Sequence, residues 1–204
     1  MGGSMSNAFG SLRADSFRSF LLALFILPAS GCGDTTMKWK EQVDLQNNET
    51  IIVARTATMK SNWIAGGGGG SINKRMTLEV AQPARQDNPG VWSDHFVPIL
   101  LDRDPDNGEW FMVATFYHCT EWYELGRPAL PYTEYRFRGG KWVRQPLSAK
   151  WIGREVNVLP ADLSNKELLK EKPVLSTGQK RLVQSRPTIS EAFVRIVGSW
   201  KSGC

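Results

Sequence analysis

The stretch "HFVPILLDRDPDNGEWFMVATFYHC", residues 95–119, decides the fold class of this chain. Its two apolar runs are separated by Pro105-Asp106-Asn107-Gly108, a combination typical of a tight turn, so the runs are expected to pair as antiparallel strands. The second run, residues 110–117, is apolar at both odd and even positions. Because a strand with two apolar faces is usually covered on both sides, this run is predicted to be a central strand.

The clearest hairpin signal lies further along the chain, in "TEYRFRGGKWVRQPL", residues 133–147. A two-residue Gly-Gly loop between two such runs is typical of a tight hairpin turn. The cross-strand pairs that this loop predicts are Phe137 with Trp142, Tyr135 with Arg144, and Arg136 with Val143. This register places an aromatic pair on one face and brings an arginine within reach of a cation-π contact.

A further hairpin is predicted near the beginning of the folded region. In residues 38–45, apolar Trp39 and Val43 alternate with polar neighbours, which is the period of a half-buried strand. Asn47-Asn48 tolerates left-handed backbone and suits a reversal into the β-branched run 50–53. The five glycines of residues 66–70 are expected to form a mobile loop, which leads into a strand over residues 76–80.

Helical signals are few. Residues 164–167 form a capping box that opens a short helix to about Lys172, where Pro173 ends it. Residues 188–200 begin with a second capping signal but fit a strand equally well, so both alternatives stay open. The expected fold is mainly β, an antiparallel sandwich or open barrel with one or two short helices, in one domain over residues 38–204.

The apolar run in "FLLALFILPASGC", residues 20–32, is too short for a membrane span, which needs about 20 apolar residues. Arg13 and Arg18 precede the run and small residues follow it, which is the pattern of a secretory signal peptide over residues 1–31. The alternatives are a plain secreted protein and an uncleaved anchor. A tether is expected over residues 32–37.

The position of Cys32 directly after these small residues resembles a bacterial lipobox. In that signal the cysteine thiol is alkylated by a diacylglycerol, and a dedicated peptidase cuts before the cysteine. The resemblance implies lipid attachment at Cys32. Gly33 follows the cysteine, which by resemblance to enterobacterial sorting implies the outer membrane, with the protein facing the periplasm.

The phrases "KWKEQVDL", "EWFMVATFYHC" and "YTEYRFRGGKW" are similar to those of uncharacterised proteobacterial lipoproteins. That resemblance implies export and anchoring, and it implies no activity. Removal of residues 1–31 leaves 173 residues, in which the 25 basic and 20 acidic residues of the chain become 23 and 19, a net charge of +4. An exported chain does not meet the genome, which excludes nucleic acid. The expected partners are the membrane, through the lipid, and an envelope protein or polysaccharide.

Two cysteines besides Cys32 remain, Cys119 and Cys204. Because the compartment beyond the inner membrane is oxidising, they are predicted to form a disulfide. The alternatives for Cys119 are a buried free thiol, a catalytic nucleophile, and a metal ligand together with His118 and Glu121, although neighbours on a strand point to opposite faces.

The sequence contains no complete motif for catalysis or for metal binding. Asp102, Asp104 and Asp106 resemble the start of a calcium loop, but Asn107 and Val113 occupy the places of its glycine and bidentate glutamate. A turn with solvated acids is therefore expected. The chain has two histidines and no G-x-S-x-G elbow, so we predict no enzyme, no metal and no cofactor.

The segment "HCTEWYELGRPALPYTEY", residues 118–135, is the surface singled out for ligand binding. The predicted aromatic platform for a sugar or a peptide consists of four rings near one arginine and two acids: Trp122, Tyr123, Tyr132 and Tyr135, with Arg127, Glu121 and Glu124. The alternative is that these rings belong to the core. Taken together, the sequence predicts a lipid-anchored, non-enzymatic structural or interaction protein, with a glycan- or peptide-binding module as the alternative function.

Overall fold

The computed structural model describes residues 34–63, 69–160, 173–187 and 189–204. It is mainly β, with 43% of residues in strands, and contains two antiparallel four-stranded sheets, two helices and short 3-10 turns within these ranges. The predicted fold class is therefore confirmed. Within the same ranges, no helix is both long enough and apolar enough to cross a membrane.

The first sheet has the strand order β1-β2-β3-β4. Its strands are β1 (Thr35–Asp44), β2 (Thr50–Trp63), β3 (Gly69–Gln82) and β4 (Trp92–Asp94). The predicted first hairpin is confirmed, because Val43 pairs with Ile51 and Asn48 adopts a positive φ of 65° in the turn. Strand β1 begins inside the segment predicted as a tether. Strand β3 includes the last two of the five glycines, and the others lie outside the described residues.

The second sheet has the strand order β5-β6-β7-β8. Its strands are β5 (Val97–Arg103), β6 (Trp110–Thr115), β7 (Thr133–Arg138) and β8 (Lys141–Pro146). All six residues of β6 are buried and the strand lies inside the sheet, as predicted. Strands β7 and β8 pair in the predicted register, with Phe137 opposite Trp142. Gly139 and Gly140 have φ values of 55° and 77°, which a two-residue turn of this kind requires.

Buried residues from both sheets form one hydrophobic core. Near its centre, the ring of Phe111 on β6 stacks on Trp151, with ring centroids 3.9 Å apart. Trp151 belongs to a short 3-10 turn that follows β8, residues Ala149–Trp151. An aromatic pair of this kind stabilises the domain beyond its buried area alone.

Both described helices are short. Helix α1 (Cys119–Glu124) connects β6 to β7, and helix α2 (Thr177–Gln184) begins with a capping box in which Ser176 and Gln179 bind each other's backbone N–H groups. The helix predicted from residue 164 lies outside the described residues. Residues 189–200 contain only a 3-10 turn, Glu191–Phe193, and one bridge between Arg195 and Glu155, so neither a regular helix nor a full strand forms there.

Candidate functional site

Helix α1 presents part of the predicted aromatic platform. Tyr123 is half exposed, and the guanidinium of Arg127 lies 5.3 Å from its ring centre and 6.0 Å from that of Trp122. Trp122 packs partly against the core, and its indole N–H donates to the Pro128 carbonyl at 3.2 Å. These three predicted residues are therefore neighbours, with Tyr123 as the exposed ring.

Tyr132 has a different environment. It is buried, and its hydroxyl lies 3.2 Å and 3.1 Å from the carbonyl oxygens of Ala192 and Arg195, while it accepts the N–H of Val197 at 3.1 Å. Burial raises the pKa of this phenol to about 12. These hydrogen bonds connect the C-terminal segment to Tyr132, which directly precedes the second-sheet strand β7. Because Tyr132 is buried, it is not part of the exposed surface that Tyr123 presents.

Cys119, the first residue of α1, forms a disulfide with Cys204, and their Cα atoms are 5.5 Å apart. The Tyr123 hydroxyl also donates to the Cys204 carbonyl at 3.4 Å. The predicted bridge is therefore present, and in this state the Cys119 sulfur is neither a free nucleophile nor a thiolate ligand. Within the described residues, no group of three or more potential ligands is placed to hold a metal ion.

The acids of the 102–108 turn are not all solvated, contrary to the prediction. Asp104 is buried and binds Arg136, and both its carboxylate oxygens accept from Lys150 at 2.7 Å. Burial raises the pKa of Asp104, but the hydrogen bonds from Lys150 and Arg136 outweigh it and lower that pKa to about 2. Asp102 is also buried and accepts from Arg154 at 2.6 Å. These carboxylates are internal ion-pair partners.

A second buried charge network lies beside β1 and β2. Glu41 and Arg55 are both buried and paired at 2.8 Å, and Glu41 also lies 3.2 Å from the Lys180 ammonium. Nε and Nη2 of Arg55 have no hydrogen-bond acceptor among the described residues. Burial lowers the pKa of Arg55, and the Glu41 carboxylate opposes that effect. Removal of either partner would leave a charge inside the core.

A polar cluster joins the last strand of the first sheet to the second sheet. The two ring nitrogens of His95 lie 2.8 Å from an Asp94 oxygen and 2.7 Å from a Glu124 oxygen. The contact with Glu124 is also a hydrogen bond, whose donor depends on the tautomer of the ring. Glu124 also binds Arg144 of β8 at 2.7 Å, and Asp94 accepts from the Tyr135 hydroxyl at 2.8 Å.

A cleft of about 360 Å³ lies between β4 and the β7-β8 hairpin. We call it the hairpin cleft; its aromatic and charged lining residues are Trp92, Asp94, Tyr135, Phe137, Lys141 and Trp142. The rings of Phe137 and Trp142 are half-buried, with centroids 5.5 Å apart. The Trp142 indole N–H donates to the Gly90 carbonyl at 2.7 Å, which fixes the ring at the edge of the cleft.

Trp92 lies at the bottom of the hairpin cleft. It is buried and meets Tyr135 edge to face, with centroids 5.4 Å apart. Its Nε1 has no acceptor among the described residues. A buried donor that lacks a partner costs about 1 to 3 kcal/mol, so this indole is an unusual feature of the cleft.

Sequence reasoning found only part of this cleft. The Phe137-Trp142 pair was predicted as hairpin packing, whereas residues 91–94 were not singled out. The available signal was the spacing of Trp92 and Asp94, which places both side chains on the same face of a strand. The packing of that face against the hairpin depends on contacts between two sheets, which no local pattern indicates.

A second groove, of about 460 Å³, lies along the other half of β8. Its walls include the apolar residues Leu125, Leu130 and Leu147 together with Glu124 and Arg144. The two depressions thus lie beside the same strand, one rich in aromatic residues and the other in aliphatic residues.

No protein-family model, curated protein or solved structure significantly matches this chain. Family membership therefore contributes nothing to the functional assignment, which depends on the residues and geometry described above.

Proposed function

We propose that this chain is a lipid-anchored protein of the cell envelope, attached through Cys32 to the outer membrane and facing the periplasm. In this proposal, its β domain is a non-enzymatic structural or interaction module. The observation that carries the proposal is the use of the three cysteines. Cys119 and Cys204 are bonded to each other, which leaves Cys32, the cysteine that follows the signal-like segment.

The disulfide also supports export, because such bonds persist mainly in oxidising compartments. Strand β1 begins at Thr35, so only Gly33 and Asp34 separate Cys32 from the first strand. At no more than about 3.6 Å per residue, so short a connection would hold the domain close to the membrane surface.

The non-enzymatic part of the proposal is supported by the ion pairs that four of the buried carboxylates form. Glu41, Asp102, Asp104 and Glu134 are each bound to a cationic side chain. Asp94 and Glu124 bind the same histidine from opposite sides. Ion pairs of this kind are typical of structural networks, in which the acids stabilise the fold.

A second candidate function is a periplasm-facing glycan- or peptide-binding module. The observation that favours it is the presence of two clefts beside strand β8, one of which contains a buried indole without an acceptor. Concave sites with apolar walls and a few polar groups are typical ligand sites.

Metabolic labelling with a tagged fatty acid tests the anchor. The wild type is expected to take up label and to partition into detergent, whereas Cys32→Ser is expected to do neither, because serine has no thiolate to alkylate. Cys204→Ser is the matched control: it loses the disulfide but should still be labelled. A wild type without label, or a Cys32→Ser variant that is labelled equally, would overturn the proposal.

A further inference from the structure

We propose that the hairpin cleft binds a saccharide. This inference rests on the second candidate function and names its ligand class and residues. The cleft volume of about 360 Å³ falls at the lower end of the range for small-molecule sites, which suits a ligand of one or two sugar units. The lining of the cleft favours a sugar over other small ligands.

The aromatic rings offer an apolar surface to such a ligand. Phe137 and Trp142 are half-buried and remain partly accessible, while Trp92 and Tyr135 are buried behind them. A pyranose ring has an apolar C–H face and a hydroxyl-bearing edge, so it matches an aromatic ring that is next to polar groups. Rigid aromatic rings supply contact area at a low cost in conformational entropy.

The polar groups around these rings are both donors and acceptors. The exposed ammonium of Lys141 can donate, and the carboxylate of Asp94 accepts. Lys141 has no ion-pair partner among the residues that the structure describes. Sugar hydroxyls both donate and accept, so they can form hydrogen bonds with both kinds of group, whereas an apolar ligand would form none.

The walls are also held in place before a ligand arrives. Tyr135 and Asp94 are joined by a 2.8 Å hydrogen bond, which connects β7 to β4, and Trp142 is fixed to the Gly90 carbonyl at 2.7 Å. A site that is already ordered loses less conformational freedom on binding. The proposed ligand therefore enters a preformed cleft.

The test uses full-length protein in detergent, with chitotetraose and maltotetraose as the saccharide probes and an acetylated hexa-alanine as the peptide probe. The eight tryptophans of the chain are followed through their indole N–H signals in nuclear magnetic resonance spectra. Saturable shifts of the Trp92 and Trp142 signals by at least one saccharide are expected, with Trp200 unchanged as an internal control.

Single-residue variants test which lining residues contribute to saccharide binding. Trp142→Ala and Lys141→Ala should each weaken saccharide binding about tenfold, which corresponds to about 1.4 kcal/mol. Val143→Ala is the matched control, because Val143 directly follows Trp142 on β8 but does not line the cleft. The affinity of this variant should stay within about twofold of wild type. The wild-type shifts remain informative even if Trp142→Ala fails to fold.

The inference is overturned if neither saccharide shifts the Trp92 and Trp142 signals, if only the peptide shifts them, or if Lys141→Ala, in its folded form, binds as wild type does. None of these outcomes bears on lipid attachment, which is measured at Cys32. A labelled, membrane-bound protein that binds no saccharide would therefore refute this inference and leave the anchor proposal intact.

Discussion

Cys119, at the start of helix α1, is bonded to Cys204, 85 residues further along the chain. The C-terminal segment is held at two more points: Trp200 meets Phe116 edge to face at 5.9 Å, and the Tyr132 hydroxyl lies 3.1 Å from the Arg195 carbonyl. The disulfide therefore closes a long loop around the second sheet and fixes the C-terminal segment against it.

Replacement of both bonded cysteines by serine should lower the free energy of unfolding. Without the cross-link the unfolded chain gains conformational entropy. For a loop of this length, the expected decrease in the free energy of unfolding is up to about 4 to 5 kcal/mol, to be measured by urea unfolding under oxidising conditions. Cys32→Ser should unfold with the same midpoint as wild type. A double variant as stable as wild type, or two free thiols in protein alkylated in intact cells before purification, would contradict the bridge.

Truncation of Phe111 and of Phe137 should have unequal effects. Phe111 is fully buried and stacked on Trp151, so Phe111→Ala should lower the free energy of unfolding by about 3 to 5 kcal/mol. Phe137 is only half-buried, so Phe137→Ala should cost about half as much. The free energies of unfolding of the two variants are measured by urea unfolding. Equal decreases relative to wild type would show that Phe137 is buried in the core as deeply as Phe111.

The hairpins were predictable because their signals are local. Gly139 and Gly140 supply the two positive φ values that the turn needs, and the register of Phe137 opposite Trp142 follows directly from the loop length. In the same way, Asn48 supplies the left-handed backbone of the first turn. The residues that determine a turn lie within a few positions of one another, so a turn can be recognised from a single sequence.

The buried charges were not predictable, because their partners are distant in the sequence. From its sequence neighbours alone, Asp104 is expected to be a solvated turn residue. In the structure it binds Arg136 and Lys150, which are 32 and 46 positions away in the sequence. Glu41 occupies an apolar face of β1, next to Trp39 and Val43, and its partner Arg55 is supplied by the neighbouring strand. The hairpin cleft depends equally on packing between the two sheets.

Glu41→Gln should destabilise the domain strongly. The change removes the carboxylate that neutralises the buried Arg55, and breaking a buried ion pair on one side costs about 3 to 5 kcal/mol. Glu49→Gln is the matched control, since Glu49 pairs with the half-exposed Arg85 and should change the free energy of unfolding by less than about 1 kcal/mol. Similar losses for the two variants would disprove the burial of the Glu41-Arg55 pair.

Asp104 should make the domain sensitive to acid. Its pKa falls from 3.8 to about 2 on folding, so its stabilisation is fully present above about pH 4 and is lost as the pH falls through 2. The lost stabilisation is about 2 kcal/mol. The difference in unfolding free energy between wild type and Asp104→Asn should therefore shrink by that amount between pH 5 and pH 2.

Asp106→Asn is the control for the loss of a carboxylate partner of Lys150, because Asp106 shares Lys150 but is exposed. At pH 7 it should lower the free energy of unfolding by less than about 1 kcal/mol. A difference between wild type and Asp104→Asn that stays constant from pH 5 to pH 2 would show that the Asp104 carboxyl titrates alike in the folded and unfolded chain.

The most direct test of the lipid anchor is the mass of the N-terminal peptide of protein purified from membranes. We expect a peptide that begins at Cys32 and carries a diacylglycerol on its sulfur and an acyl chain on its amino group, because two or three chains are needed for stable membrane attachment. A peptide that begins elsewhere, or one that contains Cys32 with an unmodified thiol, would contradict the lipid anchor.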